Sequence, residues 1–176
     1  MLTASAPPLQ EWREFFAIIG TAAATLIGAM FVVVSIGIGL LTRDHTTATR
    51  AFLTSTVTHL SIVLFGAPLT VAPGLDWIAF GTIVGIVGIA GAAGLANSVR
   101  IIAGFRQHTG TDRSDWFWYA MFPPVAYAAL LASAVAAFRG AGLSLDLLAI
   151  SLAFLLLVGI RNSWDMIVFL VTRSRD

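Results

Sequence analysis

Three charged side chains stand where an apolar sequence tolerates charge least: Arg100, Arg161 and Asp165. Arg161 and Asp165 are spaced i, i+4, so a helix brings them to one face as an ion pair. Counting helical rise, Arg100 lies about 9 Å inside Arg106, Asp165 about 12 Å and Arg161 about 18 Å inside Arg173. His59 lies about 13 Å inside Arg50, and Ser35 about 12 Å inside Arg43. Asn97 and Asn162 complete this polar layer. A charge at a helix centre in a bilayer costs about 2.5–3.5 kcal/mol on insertion scales, which pairing or water offsets. The expectation is therefore an ion-paired clasp, with Arg100 adding a second cation to Asp165 if their helices pack together. The sharper alternative is a hydrated vestibule, proton relay or anion site with His59 as its titratable member. His59 taken alone reads as a hydrogen-bonded packing residue. Thr54, Ser55, Thr58 and Ser61 share an arc of its helix, which makes that helix a competing pore wall.

A second set of residues forms a stripe. At 100° per residue, Glu14, Ala17, Thr21, Ala24, Thr25, Gly28, Val32, Ser35 and Gly39 share one helical face. Ile19, Leu26, Phe31 and Val33 occupy the other, suited to lipid or bulky packing. Small residues let helix backbones approach, and hydroxyls bond across them. The plain reading is a helix–helix seam. The sharper one is a pore wall in a ring of subunits, with Glu14 as an acidic mouth, the hydroxyls along a wet path and Val32 as a dry constriction. Gly81, Gly85, Gly88, Gly91 and Gly94 repeat the theme. Glycine weakens a helix and gains nothing from lipid, so a neighbour must cover that face, in this chain or another.

The elements that hold these residues are membrane helices. Of 176 residues, 58% are hydrophobic and 11% charged, against roughly 25% charged in a soluble domain. Five apolar stretches, 15–41, 51–73, 77–105, 116–138 and 145–172, each reach the about 20 residues that cross a bilayer. Lipid forbids unpaired backbone, and five short runs cannot close a barrel. The expected fold is one all-α, polytopic transmembrane bundle of five helices over residues 1–176. It becomes four if 51–73, whose first half is polar from Thr54 to Ser61, does not fully cross.

Ten basic side chains, all arginine, set the orientation. Arg43, Arg50, Arg106, Arg113, Arg173 and Arg175 fall on one side, Arg13 and Arg139 on the other. Positive charge marks the cytoplasmic side, placing the N-terminus out and the C-terminus in. No signal peptide is read in the first span, which is too long for one. Trp12, Phe15, Phe16 and Trp77, and at the other boundary Trp116, Trp118 and Tyr119, sit where aromatic belts belong. Pro123-Pro124 breaks the backbone ladder of the fourth span. Gly94-Leu95-Ala96-Asn97-Ser98 matches Gly159-Ile160-Arg161-Asn162-Ser163 in its Gly-x-x-Asn-Ser core. That offset lays 50–105 over 115–170 as a candidate hairpin repeat.

Several classes are excluded. So few residues lie outside the spans that no separate soluble domain fits. A net charge of +1 argues against nucleic acid. Without cysteine there is no thiolate chemistry, and no zincin pair, serine elbow or phosphate loop appears. Neither an enzyme, a cofactor nor a metal site is expected.

The opening Glu11-Trp12-Arg13-Glu14-Phe15-Phe16, with Gly20-Thr21-Ala22-Ala23-Ala24-Thr25-Leu26-Ile27-Gly28, resembles a family of small, uncharacterised bacterial polytopic membrane proteins. The late Arg161-Asn162-Ser163-Trp164-Asp165 is similar to that family's closing motif. The resemblance spans about fifty residues at the two ends. It implies a bacterial cytoplasmic (inner) membrane and, since some members are labelled modulators of a membrane-anchored protease, a protein partner. The expectation is a homo-oligomeric, cation-leaning pore for inorganic ions. The alternative is a non-conducting accessory or scaffold that binds a larger membrane complex.

Overall fold

The computed structural model describes residues 6–37, 46–106 and 113–173, all but the short turns in five helices. These are α1 (Ala6–Gly37), α2 (Thr46–Leu69), α3 (Trp77–Arg106), α4 (Arg113–Phe138) and α5 (Leu143–Arg173). Four carry stretches long and apolar enough to cross a membrane: Trp12–Ser35, Trp77–Arg100, Met121–Phe138 and Leu143–Asp165. The apolar part of α2, Leu53–Leu69, is shorter. The chain is a multi-pass membrane protein by this measure. Gly39, the break at 42–45, the loop 107–112 and Arg175 lie outside the described residues.

Local chemistry accounts for the helix ends. Pro7 and Pro8 stand in the first turn of α1, where a missing N–H costs nothing. The Asp76 carboxylate accepts the Ala79 N–H over 2.7 Å and caps α3. Gly140, at φ 65°, ends α4. Its N–H reaches the Ala137 carbonyl over 2.9 Å, and the Ala141 N–H reaches Ala136 over 3.0 Å. Those two bonds are the left-handed glycine terminator of a helix. The helix α2 stops at Leu69, short of the expected 73. Pro68 gives no N–H there, and Thr70, Val71 and Ala72 turn back on Ala67, Pro68 and Leu69. Residues 70–76 and 139–142 thus mark one end of the bundle, the turn end.

Sequential helices pack antiparallel, and α2 also packs on α5. The helices α2 to α5 form a closed set of four, and α1 lies in the groove between α2 and α5. The core runs through Leu60, Val63, Val84, Leu130, Leu152 and Leu155. Lipid is as apolar as leucine, so close packing and interhelical hydrogen bonds hold such a bundle rather than hydrophobic transfer. Hydroxyls supply part of this between α4 and α5. Ser133 donates to the Ser144 carbonyl over 2.7 Å, and Ser144 returns a bond to the Ser133 carbonyl over 2.9 Å. Ser151 donates to the Ala126 carbonyl over 2.8 Å.

The glycine face of α3 is covered within the chain, by α4. A Cβ on Gly81 would meet the Ala134 carbonyl oxygen at 3.0 Å, and one on Gly88 the Leu131 side chain at 2.9 Å. Gly91 takes the Tyr127 ring. Gly94 is the exception, with nothing within 4 Å.

Candidate functional site

The stripe of α1 faces outward. Glu14, Ala17, Thr21, Ala24, Thr25, Gly28, Val32 and Ser35 are all exposed, and among the described residues no side chain or other helix lies within 4 Å of a Cβ placed on Gly28. The opposite side does the packing, with Phe16, Ile19, Ala23 and Met30 buried against α2 and α5. Phe31 is exposed, as a lipid-facing residue is expected to be. Phe16, Ile19 and Met30 fill the groove around the small Ala23, and the hydroxylated residues stay outside with Ile18 and Phe31. The hydroxyls are not idle there. Thr21 donates to the Ala17 carbonyl over 2.8 Å, Thr25 to Thr21 over 2.9 Å and Ser35 to Phe31 over 2.7 Å. With its proton committed to the helix, each oxygen offers only acceptor capacity to whatever lies beyond.

The polar layer divides in two. Its buried part joins α2 to α5. Gly159 has no side chain to keep Leu60 away, so the two helices close at that rung. One turn on, Asn162 Nδ2 donates to Thr56 Oγ1 over 3.0 Å, with both residues buried. Ser163 is also buried and donates to the Gly159 carbonyl over 2.7 Å. His59 is 2% exposed and lies against the Tyr127 ring, centroids 5.7 Å apart and planes inclined at 52°. Its packing matches expectation and its hydrogen bonding does not: His59 Nδ1 and Tyr127 Oη are both buried without a hydrogen-bond partner among the described residues.

The charged part lies outside this core. Arg161 Nε stands 3.3 Å from Asp165 Oδ2, the expected i, i+4 pair, with both side chains partly open. This pair lies along α5 rather than across two helices. Arg100 and Asn97 are exposed on α3, which packs between α2 and α4. Arg100 therefore does not join Asp165 as a second cation. The single layer expected from depth alone is a buried amide–hydroxyl rung with charges around it, because depth along a helix does not fix direction around it.

Thr56 and Tyr127 are the residues missed in the sequence. Thr56 stands in a run of hydroxyls with no periodic mark, and only the position of α5 selects it. Tyr127 carried one available signal, an aromatic hydroxyl in mid-span facing a glycine-rich helix. On α2, Thr54 and Thr58 border an apolar groove of about 320 Å³ shared with Met30, Phe31 and Val34. The Thr58 hydroxyl is bonded to the Thr54 carbonyl, so this arc resembles the stripe of α1 in its chemistry. Among the described residues no group of three His, Cys, Asp or Glu is placed to hold a metal ion.

Compared with known proteins, the chain matches no family model, no curated protein and no solved structure.

Proposed function

We propose that the protein self-associates through α1 and forms a cation-leaning pore between its subunits, in a bacterial cytoplasmic membrane with the N-terminus outside. One observation carries this reading: the whole described stripe from Glu14 to Ser35 is exposed on a single chain. Small residues at that density gain nothing from lipid and favour a close helical neighbour. The committed hydroxyls of Thr21, Thr25 and Ser35 present oxygen acceptors, the polarity that a cation meets in a pore lining. Glu14 stands at the N-terminal end of this wall as an acidic mouth, and Val32, 58% exposed, is its dry constriction.

A second reading is a non-conducting accessory protein whose faces dock a larger membrane complex. Gly94 favours it, because a second open small-residue position lies on α3, away from the stripe. Liposome flux with the purified protein separates the two. The pore reading expects ion flux and a ring of subunits in mild detergent, with Glu14→Gln weakening cation preference. Tight liposomes that contain intact oligomer would overturn it, and stoichiometric co-purification of another membrane protein would establish the accessory role.

A further inference from the structure

We propose that the groove between α1 and α2 at the turn end seats one phospholipid with an anionic headgroup. Its phosphate rests on the Arg13 guanidinium and an acyl chain lies against Phe16, Ala17, Leu64 and Pro68. The groove encloses about 300 Å³. Gly20 and Ala67 form its floor, where a Cβ on Gly20 would stand 3.2 Å from the Ala67 methyl. It stays open because Ala17 and Gly20 are small and because α2 ends at Leu69 behind Pro68.

Charge and depth specify the occupant. Arg13 is the one charged residue in the lining, and Thr21 the one other polar side chain. The Thr21 proton is already given to the Ala17 carbonyl. Arg13 is the second residue of the membrane-crossing stretch that begins at Trp12, which is headgroup level. Thr21 is eight residues deeper, about 12 Å by helical rise, within the hydrocarbon. A cation above an apolar trough of that depth complements an amphiphile with an anionic head and a hydrocarbon tail. Among the described carboxylates at the same end, Glu14 and Asp76 are exposed and Asp146 is half-buried in the first turn of α5; all three lie outside the lining, so none opposes the phosphate inside the groove. Arginine suits this role because its planar fork takes two phosphate oxygens at once.

The test uses the full chain in vesicles of equal parts phosphatidylcholine and phosphatidylglycerol, extracted in mild detergent, with retained lipid identified by mass spectrometry. The wild type is expected to retain phosphatidylglycerol about fivefold over the vesicle ratio, the preference of one basic side chain near an anionic surface. Arg13→Gln should return that ratio to the vesicle value, and Arg13→Lys should keep most of it. Arg139→Gln removes an exposed arginine at the same end but outside the groove, and should leave the enrichment intact. Val71→Trp, which fills the groove from α2, should lower the amount of lipid retained. Retention in the vesicle ratio by the wild type would overturn the proposal. So would equal losses in Arg13→Gln and Arg139→Gln, which would show general surface charge at work.

Discussion

Asn162 on α5 donates its amide to the Thr56 hydroxyl on α2 over 3.0 Å, with both residues closed off from the surface. The two residues are 106 positions apart in the chain, so the bond ties α2 to α5 directly. Interhelical hydrogen bonds in membrane bundles contribute on average about 0.6 and at most about 1.7 kcal/mol. A double-mutant cycle of Asn162→Leu and Thr56→Val, read by thermal unfolding in detergent, should return a coupling within that range. A coupling indistinguishable from zero would remove the rung as a stabilising contact.

The hydroxyl of Tyr127 should behave in the opposite sense. It is buried and lacks a partner among the described residues, and an unmet buried polar group costs about 1–3 kcal/mol. Tyr127→Phe keeps the ring against His59 and Gly91 and should raise the unfolding temperature. A marked fall would mean that the hydroxyl is hydrogen-bonded in the membrane.

Gly91 and Gly94 lie on one helix three residues apart and should respond differently to the same change. Alanine at Gly91 meets the Tyr127 ring and the Ile62 side chain, an overpacking expected to cost about 1–3 kcal/mol. Tyr127→Leu in the same chain should recover much of the loss. Alanine at Gly94 meets nothing within 4 Å and should be neutral or stabilising, since alanine is the better helix former. Equal effects on stability would contradict the packing of α3 against α4.

Gly28→Leu tests the outward stripe. With no side chain or other helix among the described residues near it, the substitution should leave the unfolding temperature of the monomer unchanged. Particle size in mild detergent should fall from oligomer to single chain. Unchanged size would overturn the proposed self-association through α1.

Asp165→Asn removes the carboxylate 3.3 Å from Arg161 and leaves the arginine charge in a membrane-crossing stretch. Glu14→Gln neutralises an exposed acid near the end of such a stretch. The first should lower stability and membrane yield more than the second, because loss of an ion-pair partner costs a charge most at depth. Matching small effects would show that Arg161 reaches water without its partner.

Much of this was legible beforehand, and the limit is a physical one. Apolar runs of membrane length, the proline and glycine breaks and the i, i+4 spacing of Arg161 and Asp165 are local properties. Helical geometry converts them directly into element, turn and pair. The same arithmetic placed Glu14, Thr21, Thr25, Gly28, Val32 and Ser35 on one face. What it could not supply was the neighbour. In lipid no hydrophobic force separates a seam from a surface, so a face of small residues reads alike whether covered or bare. The tertiary structure decided that α4 covers Gly81 to Gly91 while the stripe of α1 stays open. It also decided that Asn162 is buried against Thr56 while Asn97, its counterpart in the matching motif, is exposed. Depth is written along the chain; azimuth is set only when the helices pack.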